Sequence, residues 1–253
     1  MILHPDAYMY SNTGDGLKNY FTLQTYITQP ASEGYVNYNA MQYPYGEYVW
    51  YTDNSPLFAM AIRWIHLNIT PVQNPIAILH WILFLNMLLA PIFVLRILKQ
   101  FIKNEWLIVL GALVMVWTSP QFFRMFIGHY NLSFSIFYFI AIYWVIKWYF
   151  IVTRNEPYNA WKLALTPLLL LMAAAFIHLY YILLLGLPLA LFVIITISLH
   201  FKTISAKWRA LCWPLCSMLL AAVLVMMVIR STDGYIDLRV NDPDGINIPS
   251  WEA

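Results

Sequence analysis

The sequence predicts an all-α fold, a polytopic transmembrane helix bundle of about six spans, with an extracytoplasmic N-terminal loop that contains interfacial helices. Composition, the length of the apolar stretches and the distribution of Lys and Arg support this prediction. Hydrophobic residues make up 61% of the chain and charged residues only 10%, whereas soluble domains are about 45–50% apolar and about 25% charged. A net charge of +2 gives no indication of a nucleic-acid partner.

Long apolar stretches predict where the chain crosses the membrane. A helix needs about 20 apolar residues to span the hydrocarbon core. Three stretches satisfy this requirement by themselves: Ile76–Ile97, Leu132–Val152 and Ala210–Ile229. Trp106–Thr118 is shorter, and we expect it to continue through a kink at Pro120 as far as Phe126.

The uncharged stretch Leu163–Leu199 is too long for a single span. We therefore expect two helices here, with a turn near His178–Tyr181. No Gly or Asn marks this turn, so the sequence indicates that the chain reverses but not at which residue.

Basic residues predict the orientation, because cytoplasmic loops carry an excess of Lys and Arg. If the N-terminal segment is outside, the cytoplasmic loops hold nine of the 14 basic residues: Arg96, Lys99, Lys103, Lys147, Arg154, Lys162, Lys202, Lys207 and Arg209. Of the 12 acidic residues, only Glu105 and Glu156 fall on that side. Both the N-terminal segment and the C-terminal end are therefore predicted to be extracytoplasmic.

The chain divides into three parts on this interpretation. Residues 1–74 form an extracytoplasmic loop with interfacial helices, residues 75–230 form the transmembrane bundle, and residues 231–253 form a second extracytoplasmic segment. The first part contains no signal peptide. We therefore expect the chain to be a piece of a longer protein, in which a first helix precedes it and the region begun by 231–253 continues.

The segment Gly14-Asp15-Gly16 carries a carboxylate between two glycines, which let the backbone turn sharply and leave the side chain accessible. Leu17–Ile27 then predicts a short amphipathic helix on the membrane surface. Asp15 fits two compatible roles, an N-cap of this helix and a functional carboxylate.

Tyrosine and tryptophan are concentrated in residues 35–51. Such residues anchor proteins at the membrane interface, and their rings also stack on sugars and shape concave sites. Asp53 follows, just before a helix start that Pro56 marks, so an N-cap is again the alternative to a functional role. Leu57–Ile69, which Arg63 and His66 interrupt, predicts an interfacial helix rather than a span.

Two later outside turns carry polar residues. Residues 124–131 join two predicted helices, and Arg124 and His129 could bind a phosphate-bearing ligand there; an ordinary polar loop is the alternative. His178 lies in the other turn, where a hydrogen-bonded structural histidine is an equally good interpretation.

Several of these motifs resemble those of a known enzyme class. Gly14-Asp15-Gly16-Leu17-Lys18-Asn19-Tyr20, in an outside loop, resembles the GT-C class of integral membrane glycosyltransferases. Three further motifs resemble a bacterial, largely uncharacterised branch of that class: Tyr43-Pro44-Tyr45-Gly46-Glu47, Tyr51-Thr52-Asp53-Asn54-Ser55-Pro56 and Gly128-His129-Tyr130-Asn131. The resemblance covers nearly the whole chain.

The resemblance implies an enzyme of the bacterial cytoplasmic membrane that transfers a sugar from a polyprenyl-phosphate donor to an extracytoplasmic saccharide, lipid or protein acceptor. By position, Asp15 would be the catalytic base or a ligand of a divalent metal ion, Mg²⁺ or Mn²⁺, and Asp53 the second catalytic carboxylate. The substrate-binding residues would be Lys18, Arg124, His129, Tyr45 and Trp50. The best-known members carry two neighbouring acidic residues in this loop, whereas Asp6 and Asp15 are well separated here, which leaves the base and the metal dependence open.

Two other functions fit the same composition, a transporter or flippase of lipid-linked saccharides and a non-catalytic membrane scaffold. Transporters bury charges or binding groups near the bilayer midplane. Within the predicted spans, His80 and Asn86 are the polar side chains that could indicate such a site.

Overall fold

The computed structural model describes residues 5, 7–12, 14–40, 46–154, 156–204 and 208–233. These residues are mostly helical, which confirms the predicted all-α class. The described strands β1 (Asn37–Tyr38) and β2 (Glu47–Tyr48) form one short antiparallel pair. The described helices are α1 (Gly14–Thr28), α2 (Pro56–Asn68), α3 (Pro75–Leu98), α4 (Glu105–Trp117), α5 (Pro120–Phe126), α6 (Ser135–Arg154), α7 (Ala160–Ala175), α8 (Leu187–Ile204) and α9 (Trp208–Thr232).

Four helical segments in the described part of the chain are long and apolar enough to cross a membrane: Pro75–Leu98, Tyr130–Arg154, Ile182–His200 and Cys212–Thr232. The pair α4 and α5, bent by 44°, makes a fifth if it is one broken span. Helix α7 is apolar but has only 16 residues. The described helices therefore fit a membrane protein with four candidate spans, or five if α4 and α5 are one span, while the predicted count of about six is not confirmed.

Two predicted breaks in the apolar pattern are confirmed. Helix α5 begins at Pro120, and its N-cap Ser119 accepts a hydrogen bond from the Phe122 N–H at 3.3 Å. The stretch Leu163–Leu199 is divided because α7 ends at Ala175 and a π-helical segment, Ile182–Gly186, leads into α8. The turn between them contains His178, as expected.

Helix packing places the loops at two ends of the bundle. Helix α3 packs on α4 and α6, α6 packs on α7 and α8, and α9 packs on both α7 and α8. We call the end that holds α1, α2, the 127–134 and 176–181 turns and the C-terminus of α9 the loop-rich end. Its parts are joined by the Leu57 N–H to the Phe176 carbonyl at 2.6 Å and by the Trp50 indole to Thr232 Oγ1 at 2.8 Å.

The opposite end of the bundle holds the connections between α3 and α4 and between α6 and α7. The described basic residues at these connections are Arg96, Lys99, Lys103, Arg154 and Lys162. Lys18, Arg63 and Arg124 lie at the loop-rich end together with Asp15, Asp53 and other acidic residues, so the net positive charge is concentrated at the opposite end, as the sequence predicts.

An asparagine inside α3 joins it to α6. The buried Asn86 Nδ2 donates to the Ser133 carbonyl at 3.1 Å, and its Oδ1 accepts from the Ile136 N–H at 3.1 Å. The first N–H groups of a helix lack partners within the helix, so Asn86 satisfies one of the orphan donors of α6. This polar side chain in the bundle therefore has a structural role.

Helix α2 lies against α1 and carries a fully buried arginine. The Arg63 guanidinium donates to the carbonyl oxygens of Gln29, Pro30 and Gly34 at 3.1, 2.9 and 3.0 Å, and also to that of Tyr26. A cation at the carbonyl end of α1 is electrostatically favourable. The positive charge that interrupts the apolar pattern of α2 therefore has a structural role, because it binds the carbonyl groups at the C-terminal end of α1.

Candidate functional site

Side chains from four separate segments meet at the loop-rich end. Asp15 and Lys18 come from the first turns of α1, Asp53 precedes α2, His129 follows α5, and His178 lies between α7 and α8. We call these five residues the Asp–His cluster. It contains both predicted catalytic carboxylates and two of the predicted substrate-binding residues.

Direct contact between two glycine backbones sets the position of His129 relative to Asp15. Gly128 has a φ of 89°, and a Cβ added to it would lie 2.3 Å from the Gly16 nitrogen. The Asn19 Nδ2 donates to the Gly128 carbonyl at 2.6 Å. Only glycine allows this backbone conformation without strain and this approach without overlap. The loop after α5 is therefore fixed against the first turn of α1.

Asp15 and His129 form the first pair of the cluster. The His129 Nδ1 atom lies 3.5 Å from Asp15 Oδ2, and the two side chains are 42% and 48% exposed. Asp15 follows Gly14, whose φ is 43°, and belongs to the first helical turn. Asp15 therefore lies inside the helix, which begins at Gly14, and the N-cap interpretation of Asp15 is wrong.

Asp53 forms a second, more closely bound group. Lys18 Nζ lies 2.6 Å from its Oδ2 and His178 Nε2 lies 3.5 Å from its Oδ1. These contacts, with the hydrogen bond of His178 foremost, outweigh partial burial and lower the pKa of Asp53 to about 2. The N-cap interpretation of Asp53 is also wrong, because the cap position of α2 belongs to Ser55.

The orientation of His178 follows from its second ring nitrogen. The Tyr180 N–H donates to His178 Nδ1 at 3.2 Å, so Nδ1 is an acceptor and the Nε2 proton points at Asp53. The side chain is only 15% exposed. In the sequence, a structural role for His178 was an equally good interpretation. The only sequence signal for a role in the site was the position of His178 in a turn predicted on the same side of the membrane as Asp53.

A buried polar network supports the segment that carries Asp53. Thr22 Oγ1 donates to Asn54 Oδ1, and Ser55 Oγ donates to Asn131 Oδ1 at 2.8 Å. Tyr181 OH donates to the Asn131 carbonyl at 3.1 Å. Ser55 has a φ of 49°, a left-handed conformation that is uncommon for residues with a side chain. Sequence analysis assigned no role to Asn54, Ser55 or Asn131, although each belongs to a motif that it singled out.

Two predicted substrate-binding residues, Arg124 and Trp50, do not join the cluster. Arg124 lies beside Tyr138 and Tyr181, and in the described part of the chain it forms no ion pair with a carboxylate. Trp50 is only 7% exposed and is packed against Phe176, so little of its ring is left for a ligand. Tyr45 lies outside the described residues, as do Asp6 and residues 234–253.

The described side chains do not form a self-sufficient metal site. No group of three or more His, Cys, Asp or Glu side chains that could hold an ion occurs among the described residues. Lys18 already places a positive charge against Asp53. Asp15 remains half-exposed, and Mg²⁺ sites that share a substrate phosphate need only one or two protein carboxylates. Among the described residues, Asp15 is the carboxylate of the cluster without a lysine partner, so it is the one that could share an ion with a substrate phosphate.

An apolar groove of about 340 Å³ runs between α3 and α5. Its lining includes Tyr10, His80, Trp81, Phe84, Met125 and Phe126. His80 is buried, with Nε2 2.7 Å from Tyr20 OH and Nδ1 bonded to the Pro5 carbonyl. Phe126 belongs to this lining and precedes Gly128 and His129 in the chain, so one wall of the groove is formed by the segment that leads to His129.

Comparison with known proteins identifies a family but no activity. A family model described as a domain of unknown function, DUF6311, matches residues 1–242. No curated protein matches the chain. No solved structure matches it either.

Proposed function

Since this chain belongs to the DUF6311 family, whose function is unknown, we propose from its site that it is a membrane glycosyltransferase that uses a polyprenyl-phosphate sugar donor. The observation that carries the proposal is the Asp–His cluster. Two carboxylates, a lysine and two histidines from four chain segments meet at one end of an apolar helix bundle. Transfer of a sugar from a lipid phosphate needs both a proton acceptor and a cation.

Lys18 supplies the cation in this proposal. Asp53 and His178 hold its ammonium group from one side, yet the lysine side chain is still 42% exposed. A donor phosphate that approaches from the exposed side would meet a charge already fixed in place, which is the preorganisation that stabilises a leaving phosphate. Asp53, whose pKa of about 2 makes it a weak base, acts by positioning Lys18. Arg124 is kept as a second phosphate-binding residue.

Asp15, together with His129, removes the proton of the acceptor hydroxyl. Asp15 is the more exposed of the two carboxylates in the cluster, and no lysine pairs with it among the described residues. It is also the carboxylate that would hold a divalent cation, Mg²⁺ or Mn²⁺, bound together with the donor phosphate. Such an ion would add positive charge where the leaving phosphate becomes more negative.

The apolar groove between α3 and α5 supports a lipid-linked donor. Its aromatic and methionine lining suits an isoprenoid chain. A donor whose chain lies in this groove would bring its phosphate to the end of α5, near His129. The proposed enzyme is an integral protein of the bacterial cytoplasmic membrane, with the loop-rich end outside. It has about six spans, of which α7 is the sixth. A saccharide, lipid or protein would be the acceptor.

The transporter alternative is less well supported by the polar residues in the bundle. Asn86 satisfies the backbone of α6, and His80 is bonded to Tyr20 and to the Pro5 carbonyl. Neither side chain is left to bind a substrate at the midplane. A scaffold role gives no reason for a buried network that supports Asp53.

The test is sugar transfer by membranes that express the full-length gene product. The probe is a pool of glucose, mannose, galactose and arabinose linked to polyprenyl phosphate, with product detection by mass spectrometry. We expect product from wild type and at least a 100-fold loss in Asp15→Asn, since general acid–base catalysis contributes about 10²–10⁴-fold. His200→Gln, which changes a histidine near the other end of the bundle, is the matched control.

Equal expression and a monodisperse size-exclusion profile would show that Asp15→Asn is folded. Equal product from wild type and Asp15→Asn would remove Asp15 from the site. Wild-type protein that forms no product but moves the lipid-linked sugars across vesicles would instead establish the transporter function.

A further inference from the structure

We propose that the proton of the acceptor hydroxyl is taken by His129 Nε2, and that Asp15 acts by orienting the His129 ring. This inference rests on the proposed glycosyltransferase function and assigns the proton to a particular atom within that site. It makes His129 the catalytic residue and Asp15 a positioning residue.

The two ends of the His129 ring have different surroundings. Nδ1 faces Asp15 Oδ2 at 3.5 Å, and no hydrogen bond from another described residue reaches Nε2. With Nδ1 protonated and directed at the carboxylate, Nε2 carries the free lone pair. The imidazole is 42% exposed, so that lone pair is open to a substrate. The distance of 3.5 Å is long for a hydrogen bond, and such contacts often shorten when substrate binds.

His178 provides an internal comparison, because it is the other histidine of the cluster. Its Nδ1 accepts the Tyr180 N–H, its Nε2 faces Asp53, and it is 15% exposed. Both nitrogens are engaged and neither can take a proton from a substrate without losing a contact. His178 thus uses both ring nitrogens in contacts that position Asp53. His129 uses only Nδ1 in a contact with a described residue, which leaves Nε2 to act on a substrate.

Backbone packing gives His129 the fixed position that a base requires. Gly128 lies against Gly16, and Asn19 binds the Gly128 carbonyl at 2.6 Å. The His129 N–H donates to the Arg124 carbonyl at 3.0 Å. The residue is therefore held from the α1 side and from the α5 side, which limits the movement of its ring relative to Asp15.

Among the charged groups of the loop-rich end, Asp15 and Lys18 come from α1 and Arg124 comes from α5. Asp53, from the segment before α2, and His178, from the turn after α7, hold Lys18. Asp15 is the only one of these groups paired directly with the His129 ring.

The chemical step balances without an added reactant. The acceptor oxygen attacks the anomeric carbon of the donor and gives its proton to His129 Nε2. The bond between the anomeric carbon and the phosphate oxygen breaks, and its electron pair leaves with the polyprenyl phosphate beside Lys18. The imidazolium, opposite the Asp15 carboxylate, then releases its proton to water.

The experiment measures kcat against pH for wild type, Asp15→Asn, His129→Gln and His129→Ala, with the donor pool described above. An imidazole base gives a rate that rises as the imidazole proton is lost, and a variant without the imidazole loses that rise. We expect the imidazole rise in wild type and in Asp15→Asn, the latter with a kcat lowered by about 100-fold and little change in KM. In His129→Gln the rise should be absent.

Added imidazole is expected to raise the activity of His129→Ala by about tenfold or more and to leave the activity of Asp15→Ala unchanged. If His129 had only a structural role, added imidazole would not restore activity. An unchanged pH profile in His129→Gln, or the absence of rescue by imidazole in His129→Ala, would overturn the assignment while leaving the transferase function in place. Wild-type protein that transfers no sugar would overturn the function and the assignment with it.

Discussion

At the scale of single residues, the two carboxylates of the cluster differ because of their neighbours. Asp53 is held by Lys18 and His178, which keep it ionised, while Asp15 faces a single imidazole. The sequence could indicate that both acids lie on the same side of the membrane, from the charge of the loops alone. It could not pair Lys18 with Asp53, because that contact depends on how α1 and α2 pack.

The low pKa of Asp53 predicts how stability depends on pH. Its pKa is about 2 in the folded protein against an ordinary value of 3.8. A lowered pKa means that the stabilisation is complete above about pH 4 and is lost as the pH falls toward 2. We therefore expect the Tm of detergent-solubilised wild type to fall more steeply between pH 5 and pH 2.5 than that of Asp53→Asn.

Glu105→Gln is the control for this measurement, since Glu105 is an exposed carboxylate at the start of α4, at the other end of the bundle. It should leave the slope close to wild type. Parallel Tm curves for wild type and Asp53→Asn would show that the Lys18 and His178 contacts do not stabilise the fold.

At the scale of elements, helices were predicted better than the contacts between them. Apolar periodicity and Pro56 and Pro120 located the starts of α2 and α5, because these signals are local. The approach of Gly128 to Gly16 was not predictable, although both glycines were noted. A glycine shows that the backbone can be approached closely, but only the packed structure shows by what.

Gly128→Ala tests this contact. The new Cβ would lie 2.3 Å from the Gly16 nitrogen, and the φ of 89° would become unfavourable. From the cost of a left-handed residue and of overpacking, we expect a loss of about 2–4 kcal/mol in the free energy of unfolding. The measurement is denaturant or thermal unfolding in one detergent.

The control is Gly186→Ala in the π-helical segment, where the new Cβ would meet Leu171 at an ordinary 3.7 Å. That change should alter stability by less than about 1 kcal/mol. If both variants unfold alike, the backbone contact between α1 and the loop after α5 is not a fixed feature of the protein.

At the scale of the whole molecule, charge separates the two ends of the bundle. The sequence predicted this separation because alternate loops of a membrane protein lie on opposite sides. The number of spans was less predictable, since α7 is short and α4 and α5 bend, and hydropathy does not say how a short or broken helix is placed. Packing on α9 and α6 decides where α7 lies.

Cysteine labelling tests the orientation. In a Cys212→Ser, Cys216→Ser background, we would introduce Ile69→Cys at the loop-rich end and Phe101→Cys at the opposite end, both at exposed side chains. A membrane-impermeant maleimide should label Ile69→Cys in intact spheroplasts and Phe101→Cys only after lysis. The reverse pattern would invert the proposed topology and place the Asp–His cluster in the cytoplasm.

The bond from Asn86 to the start of α6 has a consequence for biosynthesis. An N–H group without a partner costs several kcal/mol in hydrocarbon, so the N-terminus of α6 enters the bilayer at a penalty when it is alone. Helix α3 leaves the ribosome first and carries the acceptor for the Ile136 N–H. The acceptor on α3 is therefore already in the membrane when α6 emerges, and we expect α6 to pair with α3 as it inserts, so that the order of synthesis and the order of helix pairing agree.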